Sequence, residues 1–139
     1  MKAQNNKFLM VTAGKRKTAV AKVKVLEGKG HVSYNGAPYT QLQMFHKYSI
    51  AEPLEIAKEV VGDIKADFII TTSGGGKEGQ IQAARLGLAK AIVAFTKSQE
   101  LRKAFLKYDR NLIVADTRLK ETYKPGDSKA RAKRQKSYR

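Results

Sequence analysis

The sequence predicts an α+β protein, a mixed body of strands and helices followed by an extended basic C-terminal tail, and three observations carry that prediction. From Thr18 to Leu26 the residues alternate, with Ala19, Ala21, Val23 and Val25 on one side and Val20, Lys22, Lys24 and Leu26 on the other. Alternation of this kind marks a strand with one buried face, here backed by a partly basic one. From Gln80 to Phe95 the apolar positions Ile81, Ala84, Leu88, Ala91 or Ile92, and Phe95 recur at spacings of three and four, the period of an amphipathic helix. Between Lys124 and Arg139 there is no Leu, Ile, Val, Phe or Met, and seven cations face the single acid Asp127. Such a segment cannot bury enough apolar surface to offset its ordering entropy, so it is expected to be disordered when free. The expected division is a globular domain over residues 1–122 and a basic extension over 123–139, hinged near Pro125-Gly126.

The other elements follow in order. Glu27-Gly28-Lys29-Gly30 reads as a turn, and His31 to Tyr34 as a second strand ended by Asn35-Gly36, so that the two strands are expected to form a hairpin. Tyr39 to His46 is expected to be a short helix. Pro53 is expected in the first turn of another helix ending near Gly62, with Leu54, Ile56, Ala57, Val60 and Val61 packed inward. Ala66 to Thr72 is a buried strand broken by Ser73-Gly74-Gly75-Gly76. Ser98 is the expected N-cap of a helix over Gln99 to Tyr108, with Leu101 and Phe105 buried and Tyr108 a third candidate. Leu112 to Ala115 is apolar and short, and Asp116 to Tyr123 polar and extended.

Composition narrows the function. Among 139 residues, 28 are Lys or Arg and 12 are Asp or Glu, a formal net charge of +16. The segment from Ala51 to Asp67 runs against this trend, with Glu52, Glu55, Glu59, Asp63 and Asp67 against Lys58 and Lys65. The pattern points to a polyanionic partner on one side and an acidic patch turned away from it. Absence of cysteine excludes a disulfide scaffold, thiol catalysis and thiolate metal sites. No apolar run reaches the ~18 residues of a membrane span, and the opening residues lack a signal-peptide pattern. An intracellular protein with no membrane partner is expected.

Gly74, Gly76 and Gly79 match G-x-G-x-x-G between a strand and a helix, the dinucleotide-binding setting. The full fingerprint needs a further strand directly after the helix, where this sequence predicts a second helix. A P-loop is excluded, because Lys77 precedes Glu78 instead of Ser or Thr and Thr71 stands where the first glycine belongs. What survives is phosphate contact by Gly74, Gly75, Gly76 and Lys77, since a glycine-rich turn at a helix start exposes backbone N–H groups to phosphate, including that of RNA. Lys15, Arg16 and Lys17 form a separate cationic run before a strand, suited to phosphate. His31 and His46 lack metal-ligand spacing, and Glu55 and Glu59 read as a solvated helix face. No cofactor and no catalytic residue is expected. Tyr138 offers a stacking face for a base and Arg139 a fork for a phosphate.

Gly14-Lys15-Arg16-Lys17-Thr18-Ala19-Val20-Ala21 resembles the opening of the universal small-subunit ribosomal protein S-nine family. So do Thr72-Ser73-Gly74-Gly75-Gly76 with Gly79-Gln80, Ala83-Ala84-Arg85-Leu86-Gly87-Leu88-Ala89-Lys90-Ala91, and Asp116-Thr117-Arg118 with Glu121. The ending Lys133-Arg134-Gln135-Lys136-Ser137-Tyr138-Arg139 is similar to the archaeal and eukaryotic branch. The resemblance spans roughly residues 8 to 139. It implies an α/β sandwich like the second domain of ribosomal protein S-five, a small mixed sheet with helices on one face. It implies a non-enzymatic cytoplasmic protein of the small-subunit head, beside other head proteins. Lys15, Arg16, Lys17, Gly74, Gly75, Gly76, Lys77, Arg85, Arg118, Lys129, Arg131, Lys133 and Arg134 would meet ribosomal RNA. Lys136, Tyr138 and Arg139 would approach the anticodon stem-loop of peptidyl-site tRNA. The rival readings are a nonspecific nucleic-acid chaperone and a small nucleotide-binding enzyme.

Overall fold

Inward-facing small residues on two neighbouring strands let one long helix lie close against a sheet, and the rest of the chain is arranged around that contact. The computed structural model describes residues 8–134 and residue 138. In chain order the elements are β1 (Phe8–Arg16), β2 (Ala19–Glu27), β3 (Val32–Tyr34), β4 (Ala37–Pro38), α1 (Met44–Val61), β5 (Ala66–Ser73), α2 (Lys77–Thr96) and α3 (Gln99–Tyr108). Single 3₁₀ turns cover Tyr39–Gln41 and Arg110–Leu112. The strands lie in the order β1-β2-β5-β3-β4. β1 and β5 both pair antiparallel with β2, and β3 pairs parallel with β5. Parallel neighbours cannot be joined by a tight turn, and here β4 and α1 make the crossover.

The alternation predicted for the second strand is observed: Ala19, Ala21, Val23 and Val25 are fully buried. They join Phe68 and Ile70 of β5 with Ile81, Ala84, Leu88 and Ile92 of α2 in one core. Burying a side chain the size of Ile70 or Leu88 contributes about 1.5–3 kcal/mol. The opposite sheet face is left to solvent, with Lys22 and Lys24 exposed between Val11, Ile69 and Thr71.

The first strand was not expected, because its inward residues Met10, Thr12 and Gly14 give no apolar alternation. Gly14 is small for a steric reason, and Thr12 is polar because it bonds α2. A Cβ at Gly14 would stand 1.9 Å from the Ala83 carbonyl oxygen and 2.6 Å from the Gly87 nitrogen. Thr12 Oγ1 donates to the Gly87 carbonyl at 3.0 Å. The strand and α2 therefore meet backbone to backbone.

Three other expectations are corrected. β2 and β3 do not form a hairpin, since β5 lies between them. The Asn35-Gly36 turn, with φ of 49° and 87°, joins β3 to β4 instead. The segment expected as a short helix at Tyr39–His46 is a 3₁₀ turn followed by the start of α1, so Pro53 falls at the tenth of that helix's 18 residues and not in its first turn. An interior proline costs a helical hydrogen bond, offset here by full burial of its ring. Val60 and Val61 are exposed on the last turn of α1, beyond its buried stripe of Ile50, Pro53 and Ala57. α2 and α3 fall where predicted. Ser98 caps α3 by accepting from the Leu101 N–H at 3.2 Å, and Leu101 and Phe105 are buried while Tyr108 is exposed.

Candidate nucleic-acid interface

The hairpin between β1 and β2 turns in two residues, Lys17 and Thr18, with Lys17 at φ 52°. A non-glycine residue pays a steric penalty in that region. The turn brings the backbone of Thr18 and Ala19 against the loop that leaves β5. Gly74 and Gly75 lie at φ 73° and 64°, and a Cβ on Gly74 would come within 2.7 Å of the Thr18 carbonyl oxygen. One on Gly75 would stand 3.0 Å from Ala19. These two glycines let the loop double back onto the hairpin.

The loop is fixed from beneath. Asn35 Nδ2 donates to Thr72 Oγ1 at 2.9 Å, and the Thr72 N–H returns a bond to Asn35 Oδ1. Thr72 Oγ1 donates to Gln80 Oε1, and Gln80 Nε2 donates to the Gly74 carbonyl at 3.1 Å. At the helix start, no side chain caps α2 at Gly76, so its first amides keep their capacity for an external anion.

Arg16, Lys17, Gly75, Gly76 and Lys77 thereby line one open cleft of about 450 Å³. The predicted basic run and the predicted glycine-rich turn, some 60 residues apart in sequence, thus share one surface. Lys17 and Lys77 are exposed, and neither makes an ion pair among the described residues. The acid at the cleft, Glu78, turns its Oε1 to His46 Nε2 at 2.7 Å. Lys15 is exposed and, with Arg16, Arg85, Asp116 and Arg118, lines a smaller neighbouring cleft.

Beside the cleft, acids hold the arginines. Arg16 Nη1 donates to Asp116 Oδ2. Asp116 Oδ1 accepts the Arg118 N–H at 2.9 Å, and the Arg118 guanidinium reaches Asp116 Oδ2 at 2.6 Å. The Arg118 side chain, its backbone N–H and Arg16 together hold the Asp116 carboxyl well below the usual carboxylate range, and Asp116 in return raises Arg118. Arg85, whose side chain is only 13% exposed, donates Nε to Glu52 Oε2 and Nη1 to Asp109 Oδ2 at 2.9 Å. Burial pulls the Arg85 pKa down, but the two carboxylates outweigh it and leave it raised. Burial likewise lifts Asp109, and the Asn111 N–H with Arg85 more than reverses this. Arg85 therefore joins α1, α2 and the start of the second 3₁₀ turn, with its donors turned to acids of its own chain.

Sequence reasoning missed Asp116 as an organiser of Arg16. Its Asp-x-Arg spacing shows a local turn, while the partner lies 100 positions away. The structure also places Lys22 and Lys24 on the open sheet face, outside the predicted site. Lys129, Lys133 and Arg134 are exposed in a stretch without helix or strand, and Arg131 donates to Glu121 at 2.8 Å. Tyr138 is 87% exposed. Lys136 and Arg139 lie outside the described residues. Among those residues no strand follows α2, so the glycine pattern lacks the second strand of a dinucleotide fold, and no helix is long and apolar enough to cross a membrane.

Residues 14–139 match the family model described as "Ribosomal protein S9/S16". The chain is 43% identical over 131 residues to the small ribosomal subunit protein uS9 of Methanococcus vannielii, covering 92% of this chain and 96% of that protein. It is 44% identical over 131 residues to the protein of the same name from Thermoplasma volcanium, covering 94% and 98%, and 44% identical to that of Methanococcus maripaludis, covering 92% and 96%.

Proposed function

This chain belongs to the ribosomal protein S9/S16 family, and from that membership we propose that it is a structural constituent of the small-subunit head that grips ribosomal RNA through its hairpin–glycine cleft and sends its basic tail toward peptidyl-site tRNA. The family is one of structural ribosomal proteins, not of enzymes. The observation that carries the RNA reading is the convergence of Lys17, Lys77 and the uncapped start of α2 on one open cleft. A helix N-terminus with flanking lysines and little side-chain bulk suits the phosphate backbone of a folded RNA.

In this reading the body over residues 1–122 takes the α/β sandwich arrangement of the second domain of ribosomal protein S-five. Lys15, Arg16, Lys17, Gly74, Gly75, Gly76 and Lys77 meet ribosomal RNA directly. Arg118 shares its charge between Asp116 and RNA. Arg85 supports the interface by tying helices together. The extension over 123–139 is disordered when free and orders on RNA through Lys129, Arg131, Lys133 and Arg134, while Lys136, Tyr138 and Arg139 reach the anticodon stem-loop. Neighbouring head proteins complete its surroundings.

The test is sedimentation of ribosomal particles from cells carrying a tagged copy. The chain is expected to travel in stoichiometric amount with the small subunit. Sedimentation with bulk nucleic acid instead would favour the nonspecific chaperone. Removing Arg139 alone should leave assembly intact and weaken peptidyl-site tRNA retention; unchanged retention would make the tip a plain anchor.

A further inference from the structure

The exposed side of α1 gathers large apolar side chains on its first two turns. Met44, Phe45 and Tyr48 are 58%, 72% and 59% exposed on its first two turns. Residues 44 and 48 are one turn apart and stack on one side of the helix. Along the same face toward the C-terminus follow Glu55 and Glu59, both exposed. His46, on the opposite side of the helix, turns inward to Glu78. A chain of net charge +16 thus presents, on one helix, an aromatic and thioether patch followed, past the buried Ala51, by two exposed glutamates with the exposed Lys58 at their edge. Three large apolar side chains together in solvent mark a contact surface, where single exposed ones would not.

We infer that this face of α1 is the docking surface for a cationic protein segment, one that lays side-chain stems across Met44, Phe45 and Tyr48 and, further along the helix, sets other Lys or Arg heads against Glu55 and Glu59. The chemistry selects this occupant. Aromatic side chains and Met are enriched in protein interfaces and hold basic stems and guanidinium planes well. RNA bases also stack on aromatics, but each base brings a phosphate, and the two glutamates further along the same face repel it. A second copy is opposed by the mutual repulsion of two chains of +16, and an isologous pairing would give neither glutamate pair an added cation. A basic protein avoids both penalties, and the two glutamates steer and register it. The inference rests on the small-subunit reading for where such a partner is met, since a particle built on RNA supplies basic proteins as neighbours.

The test places the photo-crosslinking residue benzoylphenylalanine at position 45 of the full chain and irradiates small subunits that have incorporated it. The expected product is a crosslink to a Lys- and Arg-rich segment of another protein. A crosslink to RNA, a crosslink to a second copy, or no crosslink in incorporated chains would overturn the inference while leaving the ribosomal reading intact. Failure of the chain to enter the particle would sink both. The same experiment with Glu55→Lys and Glu59→Lys together should lower the crosslink yield about fivefold or more, as charge reversal at an interface does. An unchanged yield would overturn the cationic class of the partner. Both glutamates are exposed, so the far-ultraviolet circular dichroism and melting temperature of the free variant should match those of the parent.

Discussion

At the cleft, Lys17 stands on a two-residue turn, Arg16 beside it is tied to Asp116, and Gly74 and Gly75 are held down on the hairpin by backbone contact. From Thr117 to Arg134, by contrast, every residue is exposed except the half-buried Asp127 and Ala130, and no helix or strand forms. One region fixes a few cations in place, and the other carries many with little to position them. A positioned cation can choose among phosphates, whereas an unpositioned series binds chiefly by releasing counterions, in proportion to its number. The two regions therefore should differ in what they lose on mutation: the tail in salt dependence, the cleft in geometry.

Deleting residues 129–139 gives the largest expected effect. Six cations go, Lys129, Arg131, Lys133, Arg134, Lys136 and Arg139. At ~0.7–0.9 per phosphate contact, the slope of log affinity against log salt should flatten by roughly 4–5. Filter binding to ribosomal RNA between about 50 and 200 mM salt measures this, and an unchanged slope would remove the tail from the RNA contact.

Next comes Arg85→Ala, which sharpens the contrast from the other side. Glu52 and Asp109 would be left partly buried without their shared cation, a loss on the order of 2–3 kcal/mol after allowing for their exposure. The melting temperature should fall by roughly 10 °C, with the salt slope unmoved. A slope lowered by about one at unchanged stability would instead make Arg85 an RNA contact. Smaller again are Lys17→Ala and Lys77→Ala. Each should lower the slope by about 0.7–0.9 and alter stability by no more than ~0.5 kcal/mol. Equal loss from Lys22→Ala, on the open sheet face, would move the interface away from the cleft.

Much of this architecture is legible in the order of the residues. Residues 19–27 and 77–108 carry their periods in their side chains, so β2, α2, α3 and the Ser98 cap can be read directly. The basic run at 15–17 and the glycines at 74–76 are each visible as phosphate-binding chemistry. Their meeting is not visible, because it depends on β5 entering the sheet next to β2 in place of β3. β1 escapes because Gly14 and Thr12 answer to a close approach by Gly87, a demand for smallness that leaves no hydrophobic pattern. The role of Arg85 is likewise hidden: a cation on a helix reads the same in sequence whether it faces phosphate or, as here, Glu52 and Asp109.

The three glycines of the loop separate folding from binding, and the separation yields the smallest predicted effect. Gly74 sits at φ 73° with the Thr18 carbonyl oxygen 2.7 Å from where a Cβ would be. Gly74→Ala should cost about 1–3 kcal/mol through backbone strain alone. Gly76 is different. Its φ is −103°, open to any residue, and a Cβ there would meet nothing within 4 Å. The fold gives no steric reason for glycine at 76. Close approach of a phosphate to the first amides of α2 does give one, because a side chain at the cap would stand where the anion belongs. Gly76→Ala should therefore lose less than about 1 kcal/mol of stability, the difference between glycine and alanine at a cap, yet weaken RNA binding by roughly threefold. Gly76→Ser restores a capping oxygen, and with it stability, but that oxygen takes the amides meant for phosphate, so its affinity should stay low. If Gly76→Ser both melts and binds like the parent, the cleft acts through Lys17 and Lys77 alone, and the start of α2 has no part in holding RNA.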